Sequence, residues 1–202
     1  MSDKIIVIDF GAQYNNLLVR RVRQLNVYSE LWSRNTDIEK FKDNDIKGII
    51  LSGGPCSVYE ENAYMIEKSI FDLGIPVLGI CYGMQLMCYL LGGEVAPVGK
   101  DEYGLAKLHI KSECPITSGI ENDNIVWMSH HDEVIEIPEG FISVSSTDKC
   151  RNTVIYNPES NFYGLQFHPE VTNTVNGQLF LSNFVIDICG CRPEWRMDSF
   201  VD

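Results

Sequence analysis

Positive charge is scarce in this chain of 202 residues: 16 lysines and arginines stand against 28 acidic residues, a formal net charge of −12. A nucleic-acid backbone or an anionic membrane surface needs clustered Lys and Arg, so this balance disfavours both partners. The only basic cluster, Arg20-Arg21-Val-Arg23, falls on a predicted helix and reads as a solvated face. Long apolar runs are missing too. None approaches the roughly 20 residues that span a bilayer, and Met-Ser-Asp-Lys leads directly into a short strand with no signal-peptide apolar region. Paired cysteine spacing is also absent. The seven cysteines are an odd number and form neither a disulfide framework nor paired CxxC zinc knuckles. A reduced, cytoplasmic compartment is the simplest inference, with no metal site. The rest is ordinary: 45% hydrophobic and 22% charged residues fit one soluble domain, long enough to bury a core without staples.

The first ninety residues alternate strand and helix. Lys4–Asp9 is a buried-type strand, followed by a turn at 10–14 and a helix from about Asn15 with Leu18, Val22 and Leu25 at helical spacing. Tyr28–Trp32 and Gly48–Ser52 read as strands, with a short helix capped near Thr36-Asp37 between them and another running from Asn62 to Leu73. Continuous apolar strands alternating with helices predict a parallel sheet covered on both faces. From Gly93 the texture changes to β segments at 94–98, 105–111, 125–128, 133–137, 141–145, 154–156 and 163–167, separated by turn signals. These predict an antiparallel β extension, and a last helix is expected over about 175–188. The fold class is therefore α/β: a flavodoxin-like three-layer, mostly parallel sheet with an antiparallel extension.

The chemistry centres on Gly79-Ile-Cys81-Tyr-Gly83. The apolar strand Val77–Ile80 stops at Cys81 and a helical pattern begins at once, which is the shape of a nucleophile elbow with sulfur in place of oxygen. A cysteine there sits at a helix N-terminus, where unpaired N–H groups favour a thiolate. Small residues flank Cys81 on both sides and none of the other six cysteines in that way, so it is the candidate nucleophile. A nucleophilic cysteine needs a base and the base an orienting group. In Gln166-Phe-His168-Pro-Glu170, Pro169 holds His168 extended, and residues two apart in an extended chain share a face. Glu170 can then hold the imidazole of His168. Of the other histidines, His109 reads as solvent-facing, and His130-His131-Asp132 after a strand stays open between catalytic, ligand-binding and loop roles. Ser52-Gly53-Gly54-Pro55 ends a strand with unhindered N–H groups, so Gly54 and the Tyr82 amide are candidate oxyanion donors.

Gly-Ile-Cys81-Tyr-Gly-Met-Gln85, Ser-Gly-Gly-Pro55 and Gln-Phe-His168-Pro-Glu170 together resemble the three signatures of the triad (class I) glutamine amidotransferases. Asp9-Phe-Gly-Ala-Gln-Tyr14, Tyr82 after the nucleophile, Glu102-Tyr-Gly104, Trp127-Met-Ser-His130 and Asp187-Ile-Cys-Gly-Cys191 resemble, within that family, the branch serving GMP formation. The resemblance implies glutamine hydrolysis: Cys81 attacks the carboxamide of L-glutamine, His168 serves as base and then acid, and Glu170 orients His168. It also implies oxyanion binding by Gly54 and Tyr82, and glutamine held by Gln85, Ser129 and His130. Ammonia passes to an ATP-pyrophosphatase (synthetase) domain or subunit that uses ATP and Mg to aminate XMP, while this domain needs no cofactor of its own. The branch pattern is broken at His131, at Asn173 and at Asn15-Asn16, none of which touches the triad. Residues 1–191 are expected to form the amidotransferase domain, and 192–202 the start of a linker toward a synthetase that the chain does not contain. Two alternatives stand beside this: an amidotransferase serving another acceptor, separated by partner identity, and a catalytically silent flavodoxin-like module, which would need no such triad.

Overall fold

The computed structural model describes residues 2–197. Nine strands form one sheet in the order β2-β1-β3-β4-β9-β8-β7-β5-β6. The parallel half comprises β1 (Lys4–Asp9), β2 (Tyr28–Ser33), β3 (Ile46–Leu51), β4 (Val77–Ile80) and β9 (Phe162–Leu165). From β9 onward the pairing turns antiparallel through β8 (Val154–Asn157), β7 (Ile142–Ser146), β5 (Glu94–Ile110) and β6 (Asn124–Glu136). This is the expected mixed three-layer architecture.

The two faces of β1 explain its unbroken apolar run. Ile5 and Val7 point into a core shared with Leu18, Val22, Phe180 and Phe184, whereas Ile6 and Ile8 point into the opposite core with Met84, Met87 and Phe71. A strand buried on both sides has no polar alternation to display. Helix α1 (Asn15–Arg23) and α3 (Gly177–Ser182) cover the first face, and α2 (Tyr82–Leu90) covers the second. Burying one Leu or Val of α1 stabilises by about 1.5–3 kcal/mol, more than its short backbone could supply alone.

Four expectations differ from what the chain does. The helix from Asn62 reduces to one 3-10 turn at Lys68–Asp72. The Tyr64 carbonyl accepts from the Tyr82 hydroxyl at 2.7 Å, so it is engaged by a distant side chain, and Glu67 is extended. The segments 94–98 and 105–111 merge into the single strand β5, and 125–128 and 133–137 into β6, bridged by a register shift between Pro97 and Glu102. His130-His131-Asp132 is therefore strand and not loop. The last helix starts at Gly177 and continues as a π turn over Asn183–Ile188. There the Asn183 amide donates to the carbonyls of Ile116 and Ser118, both at 2.9 Å. Finally, the basic stretch of α1 is only partly a solvated face. Arg21 Nε donates to the Glu170 carbonyl at 3.0 Å, and Arg23 donates to the Ser29 carbonyl and lies over the rings of Tyr28 and Trp195. Guanidinium forks satisfy carbonyls that the fold would otherwise leave bare. The Asp37 cap appears as expected, its carboxylate accepting from the Glu39 amide.

The segment after Cys191 packs back on the body. Arg192 pairs with Asp3 at 3.1 Å, and the Trp195 amide donates to the Asn26 carbonyl at 2.8 Å. Residues 198–202 of the expected linker lie outside the described residues.

Candidate active site

All of the candidate catalytic residues lie beyond the carboxyl ends of the parallel strands, where ligands bind in open α/β sheets. Cys81 sits between β4 and α2 with φ 52° and ψ −109°, a conformation that costs a non-glycine residue about 1–3 kcal/mol. Two glycines make that turn sterically possible. A Cβ on Gly79 would come within 2.6 Å of the Met84 amide nitrogen, and one on Gly83 within 2.1 Å of the Leu51 carbonyl oxygen. The Cys81 amide donates to the Leu165 carbonyl of β9 at 2.7 Å, so the elbow is bonded directly to the strand that leads to His168.

His168 follows β9 by three residues, and its amide donates to the Trp127 carbonyl of β6 at 3.1 Å. Its Nδ1 lies 2.7 Å from Glu170 Oε1, and its ring lies close enough to Cys81 to feel the sulfur. Burial is the largest single influence on the imidazole and pushes its pKa down. The Glu170 carboxylate and the Cys81 sulfur outweigh it and together raise it well above the ordinary histidine value. Both influences favour the protonated ring. Glu170 is itself fixed: Arg21 holds its carbonyl, and its second carboxylate oxygen, buried, has no hydrogen-bond partner among the described residues.

The remaining candidates divide by what their side chains do. Gly54 lines the same cavity as Cys81 and Tyr82, and a Cβ there would meet the Phe10 carbonyl oxygen at 2.7 Å. The Tyr82 ring packs on Phe10 with centroids 5.5 Å apart, and burial pushes its hydroxyl pKa to about 12, so the phenol stays neutral. The Ser129 carbonyl accepts from the Cys81 thiol at 3.5 Å. His130 turns its side chain inward. Its ring is buried, with Nδ1 2.8 Å from the Asp132 carbonyl and Nε2 2.9 Å from Glu102, leaving only its backbone on the cavity. Gln85 is also buried, and its amino group donates to the Asp132 carbonyl and to Gln166 Oε1, so toward the cavity it can offer only its own carbonyl oxygen.

The cavity over Cys81 measures about 220 Å³ and includes Gly54, Tyr82, Gln85, Ser129 and Asp132 in its wall. A second opening of about 440 Å³ reaches Cys81 and His168 from the side of Gly11–Tyr14 and Trp127. Asp132, which carried no assigned role in the sequence, is a buried carboxylate on the first cavity. It accepts from the Ser57 hydroxyl and, at 2.7 Å, from the Tyr59 hydroxyl, tying the loop after Gly54 to β6. Its one sequence signal was its place at the end of the Ser-His-His-Asp run. Of the residues that break the branch pattern, His131 is exposed and pairs with Asp101, Asn173 is exposed, and Asn15 donates to Asp9. Among the described residues, one buried group has ligand-type atoms close enough for a cation: Glu102, His130 and Cys150, within 4.8 Å of one another. Hydrogen bonds already engage these residues, to each other, to Thr147 and to the Asn152 carbonyl. No helix among the described residues is long and apolar enough to cross a membrane.

Residues 6–188 match the family model described as glutamine amidotransferase class-I. The chain is 47% identical over 198 residues to the GMP synthase (glutamine-hydrolyzing) of Caldicellulosiruptor saccharolyticus. It is 50% identical over 202 residues to that of Streptococcus pyogenes serotype M1. Each match covers 98% of this chain and 39% of the relative, so the chain spans about two fifths of those proteins' length. Among solved structures, a putative GMP synthase subunit from Thermoplasma acidophilum superposes with a TM-score of 0.85 at 30% identity, covering 94% of this chain and 95% of that one. A glutamine amidotransferase from Thermotoga maritima gives a TM-score of 0.70 at 21% identity, covering 96% of this chain and 87% of that one, a likeness of fold.

Proposed function

The chain belongs to the class-I glutamine amidotransferases, and on that premise we propose that it hydrolyses L-glutamine at Cys81 and supplies the ammonia for amination of XMP to GMP. The Cys81 sulfur attacks the side-chain carboxamide carbon, and the negative oxygen that forms is bound by the Gly54 and Tyr82 amides. The imidazolium of His168 gives its proton to the departing nitrogen, ammonia leaves, and a γ-glutamyl thioester remains. Neutral His168 then takes a proton from water, whose oxygen attacks the thioester; glutamate leaves and the sulfur is restored. Gln85 and the Ser129-His130 backbone hold the glutamine, and the buried Asp132 carboxylate supplies negative charge suited to its α-ammonium group.

The observation that carries this reading is the strained Cys81 turn sharing one cavity with a His168 whose Nδ1 meets Glu170 at 2.7 Å. The 39% coverage of the longer relatives supports a partner synthetase, in the same polypeptide or a separate one, with ATP, Mg and XMP used there and no cofactor here. Residues 1–191 are read as the amidotransferase body. Seven unpaired cysteines fit a reducing, cytoplasmic setting. The decisive measurement is ammonia release from glutamine with and without the cognate synthetase, ATP and XMP. Release that rises when the loaded synthetase is added is expected; none under either condition would refute the reading.

Glu170→Gln tests the imidazole. Removing that charge takes away an influence that raises the His168 pKa, so the imidazolium is lost earlier as pH rises. The alkaline limb of kcat/KM for glutamine should move to lower pH, and the plateau should fall roughly tenfold or more. A limb that stays in place or moves upward contradicts the assignment.

A further inference from the structure

Gln166 is buried completely, and nothing in the reaction above uses it. We infer that it is a further catalytic residue, donating a hydrogen bond from its side-chain amide to the Cys81 sulfur, with Gln85 enforcing the orientation. The inference rests on the reading of Cys81 as nucleophile.

An amide side chain can turn over and exchange its oxygen for its nitrogen, so the direction must be fixed by its partners. The Asp132 carbonyl can only accept. The group of Gln85 facing it at 2.8 Å is therefore the amino group. That same amino group lies 3.2 Å from Gln166, which must answer with its carbonyl oxygen. The Gln166 amino group is left 3.6 Å from the Cys81 sulfur, an ordinary distance for N–H to sulfur. The Asp132 carbonyl is itself held from a second side by His130 Nδ1; His130 is held in turn by Glu102, and Glu102 accepts from the Thr147 hydroxyl. A chain of donors and acceptors thus runs from β5 to the nucleophile, and each link dictates the next.

The sulfur has two different partners for its two states. As a thiol it donates to the Ser129 carbonyl at 3.5 Å; as a thiolate it cannot donate, and it accepts from Gln166. The Gln166 amide donor is out of reach of water, so its bond to a charged acceptor is worth more than it would be on the surface. It favours the charged sulfur before attack and again when the sulfur is expelled from the thioester.

Two variants separate donation from packing. Gln166→Leu removes the donor without adding charge; Gln166→Glu keeps the shape and turns the donor into an acceptor. The readout is the rate of Cys81 alkylation by iodoacetamide as a function of pH, followed on the Cys81 peptide by mass spectrometry because six other cysteines are also free. Both variants should alkylate roughly tenfold more slowly near neutral pH, with the profile displaced by about one unit to higher pH, and Glu more than Leu. Gln85→Met should give a smaller displacement, since Gln166 could then turn over. A wild-type profile in the Gln166 variants would overturn the inference, and if the Leu protein does not fold, the isosteric Glu protein decides. Ammonia release retained by Cys81→Ala would instead sink the nucleophile reading, so the two failures are told apart.

Discussion

Cys81→Ala should release no measurable ammonia from glutamine, a loss on the order of ten-thousandfold or more, because no other group can carry the acyl intermediate. A diazo-ketone analogue of glutamine should label the native chain at Cys81 and leave the Ala chain unlabelled. Undiminished ammonia release in the Ala variant would remove the mechanism altogether. The same position makes a second, less obvious forecast. At φ 52° and ψ −109°, any residue with a Cβ is strained by about 1–3 kcal/mol, whereas glycine is not. Glycine loses about 1 kcal/mol through the freedom of its unfolded chain. Cys81→Gly should thus be as inactive as Cys81→Ala but more stable, by about 1 kcal/mol in denaturant unfolding, a reversal of the usual order. Equal stability, or a more stable Ala protein, would show that the turn stores no strain.

Gly83→Ala should be a severely damaging small change to the fold. The added carbon would sit 2.1 Å from the Leu51 carbonyl oxygen and 2.6 Å from its carbon, and both contacts are backbone. No side chain can rotate away, so α2 must lift off β3 and take the elbow with it. A loss of about 3 kcal/mol or more is expected, the upper end of overpacking. In a chain of this size that lowers the unfolding temperature by roughly 6–12 °C. Gly99→Ala, where a Cβ meets open space, is the control and should be silent. A Gly83→Ala protein with unchanged unfolding temperature would mean that strand and helix are not in this close contact.

Much of this was legible because the information is local. Ile5–Ile8, Ile49–Leu51 and Val77–Ile80 are buried on both faces, so their unbroken apolar runs announce a parallel sheet. The elbow is legible for the same reason: Gly79 and Gly83 flank Cys81 within two residues, and each is small where a backbone must pass close by. His168 and Glu170 share a face by simple strand alternation. The less legible features depend on contacts far apart in sequence. Nothing near Tyr64 says that its carbonyl will be taken by Tyr82, which dissolves the expected helix. Alternation through β6 places His130 inward, but only Glu102, 28 residues away, makes that burial tolerable. Arg21 looks like any solvent-facing arginine until the carbonyl of Glu170 arrives from 149 residues away. Gln166 meets the sulfur across 85 residues, a contact that no period along the chain can express.

Strand β9 bonds in parallel to β4 on one edge and antiparallel to β8 on the other, and its last carbonyl receives the Cys81 amide. On the proposed mechanism the nucleophile and the base are thus mounted on one frame, with only Gln166 and Phe167 between the bonded Leu165 carbonyl and His168. If Cys81, His168 and Glu170 act as proposed, substrate need not assemble them, and little binding energy is spent on reorganisation. The opposite wall is less tightly built in: Ser129–Asp132 belongs to a long ribbon at the far edge of the sheet, joined to the loop after Gly54 by the hydroxyls of Ser57 and Tyr59. Control over turnover therefore has more purchase on the shape of the glutamine cavity than on the spacing of its catalytic atoms. In the proposed reaction the sulfur and imidazole form a fixed anvil, and what remains adjustable is the vice that holds the work against it.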